Sequence, residues 1–120
     1  MREPEFLIDA ARVVRHAVLE PGGRGYNAIA GGVPVDQENV VALAVVERLV
    51  DGKVFLLHCN RDWETVAATA HSDIAEAERS GRALYAAAVQ RWADFRELTA
   101  EEEREVRSTK AFLEGLAAEE

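Results

Sequence analysis

Apolar positions are densest in the stretch 40–63, which reads VVALAVVERLVDGKVFLLHCNRDW. Two runs rich in valine and leucine flank Asp51-Gly52, a dipeptide that supplies the positive φ angles of a tight hairpin turn. The valines favour strands on both sides of this turn, because β-branched side chains lose rotamer freedom in a helix. The pattern predicts an antiparallel hairpin with strands at about 40–50 and 53–59, and this hairpin is the natural centre of a core.

A third, weaker strand is predicted at 63–69, where WETVAAT alternates after a turn at 60–62. The segment 89–98 fits two structures. Trp92 and Phe95 continue a helical stripe, whereas VQRWADFREL also alternates as a final strand. We favour the strand, because a sheet of four strands gives the preceding helix more surface to pack on. The pattern therefore predicts a meander of three or four antiparallel strands.

Residues 5–19 have the spacing of an amphipathic helix. Two-residue alternation describes them less well, because the runs 6–8 and 13–14 place apolar side chains on both faces of a strand. The proline and glycines at 21–23 end a helix. An N-terminal helix is therefore predicted. Its apolar stripe consists of Phe6, Ala10, Val13, Val14, Ala17 and Val18.

A second helix is predicted at about 73–87. Ser72 is a favourable N-cap, and Asp73 in the first turn complements the helix dipole. Gly81 in the interior of this helix costs about 1 kcal/mol relative to alanine unless close packing requires the missing side chain. Close packing on the sheet is the explanation we favour. The apolar stripe consists of Ile74, Ala77, Gly81, Leu84, Tyr85 and Ala88.

A third helix is predicted at about 100–117. Thr99 and Glu102 form a capping box at its start, and three consecutive glutamates lie in its first turn. We expect a peripheral acidic helix or tail over 100–120, which docks on a core edge or pairs with a second copy in a homodimer. Its thin apolar stripe, and the candidate dimer seam, consists of Val106, Leu113 and Leu116.

These elements together predict a single α+β domain over residues 1–120. The architecture comprises the N-terminal helix, the antiparallel meander, a helix packed on it, and the peripheral acidic helix. A chain of 120 residues is an ordinary length for one domain. No internal repeat and no linker interrupts it.

The net charge of −8 bears on the class of partner. Residues 1–60 contain 6 Lys/Arg against 8 Asp/Glu, and residues 61–120 contain 8 against 14, so the second half holds most of the negative charge. An acidic surface repels phosphate backbones and anionic lipid, which argues against nucleic acid and membrane as ligands. A basic protein would be attracted to it.

The lone cysteine and the N-terminal segment indicate a compartment. Cys59 is the only cysteine, so it forms no internal disulfide, which fits a reducing environment. No apolar run approaches the roughly 20 residues of a membrane span. Acidic residues stand where a secretory signal has basic ones. We therefore expect a cytoplasmic protein.

The densest polar cluster beside an apolar strand is at 58–63. Cys59 is the one candidate nucleophile, although a small buried apolar residue at a strand end is the simpler interpretation. A second candidate region is the glycine-rich loop 22–32, since a long loop in a compact domain is usually functional or mobile. The ligand-binding candidates in these two segments are Arg24, Tyr26, Asn27, His58, Arg61, Asp62 and Trp63.

Cofactor and metal signatures are weak. The run 23–28 matches G-x-G-x-x-A, but a predicted helix precedes it, whereas dinucleotide sites have a strand there. The spacing of His58, Cys59, His71 and Asp73 matches no zinc-ligand pattern. We predict no cofactor and no metal.

The middle third of the chain resembles small bacterial α+β domain proteins for which no activity is known. A strand ending in a polar turn and a tryptophan, followed by a short strand and an alanine-rich helix with a late aromatic, carries the resemblance. It implies a fold and no activity. The residues concerned are Cys59 through Trp63, Ala77, Tyr85 and Trp92.

Two hypotheses of function follow from the sequence. The first is a non-catalytic interaction protein, namely an adaptor, inhibitor or immunity-type module that binds a more basic protein. The alternative is a small-molecule-binding protein or small enzyme with a site between the loop 22–32 and the cluster 58–63. The first is favoured because the acidic charge is strong and no catalytic motif stands out.

Overall fold

The computed structural model describes residues 1–19, 29–30, 33–34, 40–85 and 91–118. Eight strands and two helices lie within these ranges. In chain order the elements are β1 (Leu7–Ile8), β2 (Ala11–Val18), β3 (Ile29–Ala30), β4 (Val33–Pro34), β5 (Ala42–Arg48), β6 (Val54–Cys59), β7 (Thr65–His71), α1 (Ile74–Tyr85), β8 (Ala93–Asp94) and α2 (Ala100–Ala118). Among these, β3 pairs with β4 as a separate two-stranded ribbon, which lies against β7.

The predicted N-terminal helix is wrong, because this segment forms a β-hairpin. β1 and β2 pair antiparallel, with Ile8 opposite Ala11. The two residues between them, Asp9 and Ala10, have φ angles of 52° and 59°. Positive φ at both central residues is the backbone of a two-residue hairpin turn, which usually has glycine at the second position. An alanine there concealed the turn in the sequence.

A β-bulge at Val14 explains why β2 does not look like a strand in the sequence. Val13 is opposite Val46 and Arg15 is opposite Val45, so Val14 is the extra residue. Val13 contacts one core cluster and Val14 lies against the other. An extra residue shifts the two-residue alternation by one position. The adjacent valines that argued for a helix are the mark of this shift.

The main sheet is antiparallel and curled like half a barrel, with strand order β1-β2-β5-β6-β7. β5 and β6 lie at its centre and contain many of its buried residues. Successive side chains of a strand point to opposite faces, so each of these strands contributes to two core clusters. Leu43 and Leu56 belong to the face that α1 covers, called here the helix face, and Ala44 and Leu57 belong to the other, the opposite face.

The hairpin of β5 and β6 coincides with the predicted one, but its turn is longer. The strands end at Arg48 and begin at Val54, and the Arg48 N–H donates to the Lys53 carbonyl at 2.8 Å. Within this turn, Gly52 has a positive φ of 73°. Asp51 accepts the Lys53 N–H at 3.1 Å and pairs with Arg48, and these bonds brace the turn.

α1 packs across the helix face through a small residue. A Cβ on Gly81 would lie 3.0 Å from Leu43 Cδ1 and 3.0 Å from Trp92 Cζ2. Tyr85, one turn later, is fully buried. The glycine therefore lets α1 approach the sheet closely, which is the explanation that its position in the stripe predicted.

The remaining predicted elements differ from those observed. β7 begins at Thr65, two residues after the predicted start, because Trp63 has a φ of 61° and belongs to the turn. In the described part of the predicted strand 89–98, residues 91–98, only β8 forms, and it pairs with β2, not with the end of the meander. Residues 86–90 lie outside the described ranges.

The C-terminal helix is not clearly acidic, which corrects a further expectation. α2 contains five glutamates against three basic residues. Glu102 pairs with Arg96 at 2.7 Å and Glu103 with Arg12 at 3.4 Å, so part of its negative charge is neutralised by the body of the domain. The capping box does form, with the Glu102 N–H donating to Thr99 Oγ1 at 3.1 Å and the Thr99 N–H to Glu102 Oε1 at 2.9 Å.

Candidate functional site

His58 is fully buried on the helix face beneath α1. Its Nδ1 lies 2.8 Å from the Tyr85 hydroxyl, and its Nε2 is buried with no hydrogen-bond partner among the described residues. Burial is the largest cause that lowers the pKa of His58, to about 4, with a smaller contribution from His71. Burial likewise raises the pKa of Tyr85 to about 12. His58 is therefore a neutral core residue near pH 7, with no access to solvent.

Cys59 points to the opposite face and is also fully buried. Burial, with a smaller effect of the nearby Asp9 carboxylate, raises the pKa of Cys59 to about 12. The thiolate is the reactive form of cysteine, so both its scarcity and its burial work against nucleophilic chemistry. His58 cannot act as its base, because the two side chains lie on opposite faces.

The turn at 60–63 separates the other candidates of this cluster. Asn60 Oδ1 accepts the backbone N–H groups of Asp62 at 2.9 Å and Glu64 at 3.0 Å, which turns the chain out of β6. Arg61 and Asp62 are exposed at this turn, whereas Trp63 is buried. The cluster 58–63 is therefore divided by the fold. His58 lies on the helix face, Cys59 and Trp63 pack on the opposite face, and the turn between them is exposed at 61–62.

The other half of the predicted ligand site lies outside the described residues. This applies to Arg24, Tyr26 and Asn27 and to most of the loop 22–32. The two short strands β3 and β4 are the described parts of the surrounding segment. Ligand binding between this loop and the cluster 58–63 therefore stays a prediction.

Trp63 joins the N-terminal segment to the turn at 60–65. Its indole Nε1 donates to the Arg2 carbonyl at 2.8 Å, and His16 packs edge-on against its ring at 6.0 Å. A second bond, from Thr65 Oγ1 to Asp9 at 2.5 Å, ties the same two segments. Residues about sixty positions apart in the chain therefore share one surface.

This surface is acidic. Segments 2–9 and 60–65 contain five exposed carboxylates against the two exposed arginines Arg2 and Arg61. Sequence reasoning placed most of the negative charge in the second half of the chain and missed this grouping. The contact that creates it is long-range, and no local pattern signals it. We call the following residues the acidic patch: Glu3, Glu5, Asp9, Asp62 and Glu64.

A cavity of about 160 Å³ lies on the opposite face, beside the acidic patch. Its apolar lining comes from the five strands β1, β2, β5, β6 and β7. Asp9 and Arg48 are its two charged lining residues, and Ala68 of β7 lies exposed at it. The apolar residues of this cavity, called here the sheet cavity, are Ile8, Ala11, Val46, Phe55, Leu57 and Ala68.

A larger open groove of about 770 Å³ lies between α2 and the turn after β5. Its cations are already paired within the protein: Arg48 with Asp51, Arg96 with Glu102, Arg12 with Glu103, and Lys110 with Glu114 at 4.0 Å. Exposed ion pairs of this kind stabilise weakly. The groove therefore presents balanced charge and shows no preference for an anion or a cation.

The predicted dimer seam on α2 is divided by the fold. Val106 is buried against the body of the domain, Leu113 is half-buried and Leu116 is 47% exposed. Phe112, which was not among the candidates, is 66% exposed on the same helix. Homodimerisation stays a prediction, and Val106 has little surface left for a second copy.

No group of three or more metal-ligating side chains gathers anywhere in the described ranges. Of the two helices described, neither is both long and apolar enough to span a bilayer. Comparison with protein-family models, with curated proteins and with solved structures found no match for this chain. Function must therefore be inferred from the surfaces that the fold creates.

Proposed function

We propose that this chain is a non-catalytic, cytoplasmic interaction protein that binds a more basic protein partner. The observation that carries the proposal is the acidic patch, where the bonds from Trp63 to Arg2 and from Thr65 to Asp9 join two distant segments that hold five exposed carboxylates. Arg96, which is close enough to Glu3 to interact with it electrostatically, is already paired with Glu102. The net charge of −8 adds a long-range attraction for a cationic partner. Such fields mainly raise association rates and favour complementary partners.

The chemistry of the described nucleophile and histidines is consistent with this proposal. Cys59 and His58 are sealed in the core on opposite faces. His71 is engaged on both ring nitrogens, with Thr69 at 2.7 Å and Glu76 at 3.2 Å. These side chains act in the proposal as structural residues of the sheet and of the start of α1.

The test compares two variants that carry the same change in charge. In the patch variant, Glu3→Gln, Glu5→Gln and Asp62→Asn remove three carboxylates that make no side-chain bond among the described contacts. In the control variant, Glu97→Gln, Glu101→Gln and Glu105→Gln remove three exposed carboxylates near α2. Each tagged protein is used to capture partners from lysate of its source, with elution by rising salt and quantitative mass spectrometry.

The expected result is a basic protein that wild type and the control variant retain and the patch variant loses. Its association rate with the purified wild type should fall steeply with ionic strength, since exposed charges are screened over about 10 Å at 0.1 M salt. Equal capture by the two variants, or an association rate independent of salt, would contradict the proposal.

A further inference from the structure

The opposite face of the sheet is incompletely covered. The N-terminal segment and Trp63 cover its β2 and β5 side, where Ile8, Val13 and Ala44 are buried. Toward β7 the cover ends, and Val66 is 40% exposed. A sheet with apolar side chains on both faces needs a layer on each of them.

The register shows which side chains form the uncovered strip. Leu57 is opposite Ala68 and Phe55 is opposite Ala70, so these four side chains are neighbours on the same face. Ala68 and Ala70 are both exposed. The small alanine side chains leave Phe55 partly exposed at the edge, and this opening leads into the sheet cavity, which Leu57, itself only 4% exposed, also lines.

The sheet cavity has the size and polarity of a pocket for one apolar group. An apolar cavity of about 150 Å³ accommodates a benzene ring, and this one measures about 160 Å³. Interfaces commonly depend on a single aromatic or aliphatic anchor in such a pocket. The cavity therefore fits one large side chain of a partner.

The charged residues around the cavity indicate which charge a partner should carry next to its anchor residue. Asp9 belongs both to the cavity lining and to the acidic patch. Arg48, the other charged lining residue, is paired with Asp51 and lies over the Phe55 ring, 5.0 Å from its centroid. The carboxylate is therefore the charge that remains available to a ligand, although it accepts a bond from Thr65.

We propose that the sheet cavity binds one aromatic or large aliphatic anchor residue of the basic partner, with a lysine or arginine beside that anchor on the Asp9 side. This inference rests on the proposed function and names the chemistry of the bound segment. The partner would complete the missing layer over the strip formed by Phe55, Leu57, Ala68 and Ala70.

The pocket is tested first with two small probes that share a benzene ring, phenethylamine with a cationic arm and 3-phenylpropionate with an anionic arm. Binding is followed by amide chemical shifts in a ¹H–¹⁵N titration. We expect shifts around the sheet cavity and a two- to fivefold lower Kd for the cation, about the effect of one exposed ion pair. Equal affinities, or shifts located elsewhere, would overturn the inference.

Three variants sharpen the test. Ala68→Leu fills the cavity from its exposed edge and should abolish binding of both probes. Ala83→Leu, the same change at an exposed alanine of α1 that lies outside both the cavity lining and the strip, should leave binding unchanged. Asp9→Asn should keep the ring bound and reduce the cation preference, since asparagine tolerates the φ of 52° and still accepts a hydrogen bond. Identical behaviour of the two leucine variants would overturn the inference.

The same variants separate this inference from the proposed function. If a basic partner is captured equally by Ala68→Leu and Ala83→Leu, the pocket plays no part and the inference fails, while the proposed function stands. If the probes bind as expected but no basic partner depends on the acidic patch, the proposed function fails. The sheet cavity would then still be a pocket that binds an apolar ring with a cationic group beside it.

Discussion

The Tyr85 hydroxyl lies 2.8 Å from Nδ1 of His58, and this contact joins the last turn of α1 to the centre of β6. Both side chains are fully buried, and His58 is a polar residue within a mostly apolar core. A buried polar group without a partner is costly, and this contact satisfies the Tyr85 hydroxyl and Nδ1 of His58, whereas Nε2 of His58 has no partner among the described residues. The pair therefore specifies how α1 sits on the sheet.

Removing the hydroxyl should destabilise the protein. Tyr85→Phe leaves His58 Nδ1 buried without a partner, and we expect the free energy of unfolding to fall by about 1–3 kcal/mol. The measurement is urea denaturation. A double-mutant cycle with His58→Leu isolates the pair, because removing both polar groups should cost less than the sum of the two single changes. Additive costs would show that the contact contributes nothing specific.

His58 should make stability depend on pH. Its pKa is lowered from 6.5 to about 4, so between these values the unfolded chain binds a proton that the folded chain does not. The free energy of unfolding should therefore be full above pH 6.5 and fall as pH decreases toward 4. The loss is about 3 kcal/mol, since one pKa unit corresponds to about 1.4 kcal/mol.

The slope can be assigned by comparison with His58→Gln, which does not titrate. Between pH 6.5 and 4 the free energy of unfolding of His58→Gln should therefore fall by about 3 kcal/mol less than that of the wild type, whatever its absolute value. His16, whose pKa is lowered chiefly by burial, contributes in the same direction and remains in both proteins. Equal slopes for wild type and variant would show that His58 is already solvated in the folded state.

Gly81 should resist substitution although it lies inside a helix. Gly81→Ala gains about 1 kcal/mol of helix propensity, but its Cβ would meet Leu43 and Trp92 at 3.0 Å, and overpacking typically costs about 1–3 kcal/mol. We expect a net loss of stability. Gly115→Ala is the matched control, because nothing lies within 4 Å of the added Cβ and the gain in propensity is unopposed. Thermal unfolding of both variants checks the prediction, and a stabilised Gly81→Ala would refute it.

Cys59 should not react in the folded protein. It is fully buried, and its pKa is raised to about 12. At neutral pH we expect a thiol reagent to label the chain only as fast as it unfolds, while the same protein in denaturing urea is labelled at once. Rapid labelling of the native protein would reveal an accessible thiolate and would revive the enzymatic alternative.

The candidate site was predicted less well than the central strands. The exposed turn residues Arg61 and Asp62 could be picked out by their polarity. The grouping of Asp62 with Glu3 and Glu5 could not, because it depends on the bond from Trp63 to Arg2 and on that from Thr65 to Asp9. An indole nitrogen bonded to a backbone carbonyl sixty-one residues away leaves no trace in a local pattern.

Local sequence pattern was sufficient to predict the hairpin of β5 and β6 and the helix α1. The valine-rich runs of that hairpin pack on both faces, and the stripe around Gly81 repeats with the period of a helix, so local pattern and tertiary structure agree. The tertiary structure decided the N-terminal region, where a bulge at Val14 and a turn at Asp9-Ala10 without glycine broke the alternation. The sheet cavity and the acidic patch also depend on the tertiary structure, because contacts between distant segments create them. The periodicity of a sequence indicates only which face of its own helix or strand a residue occupies.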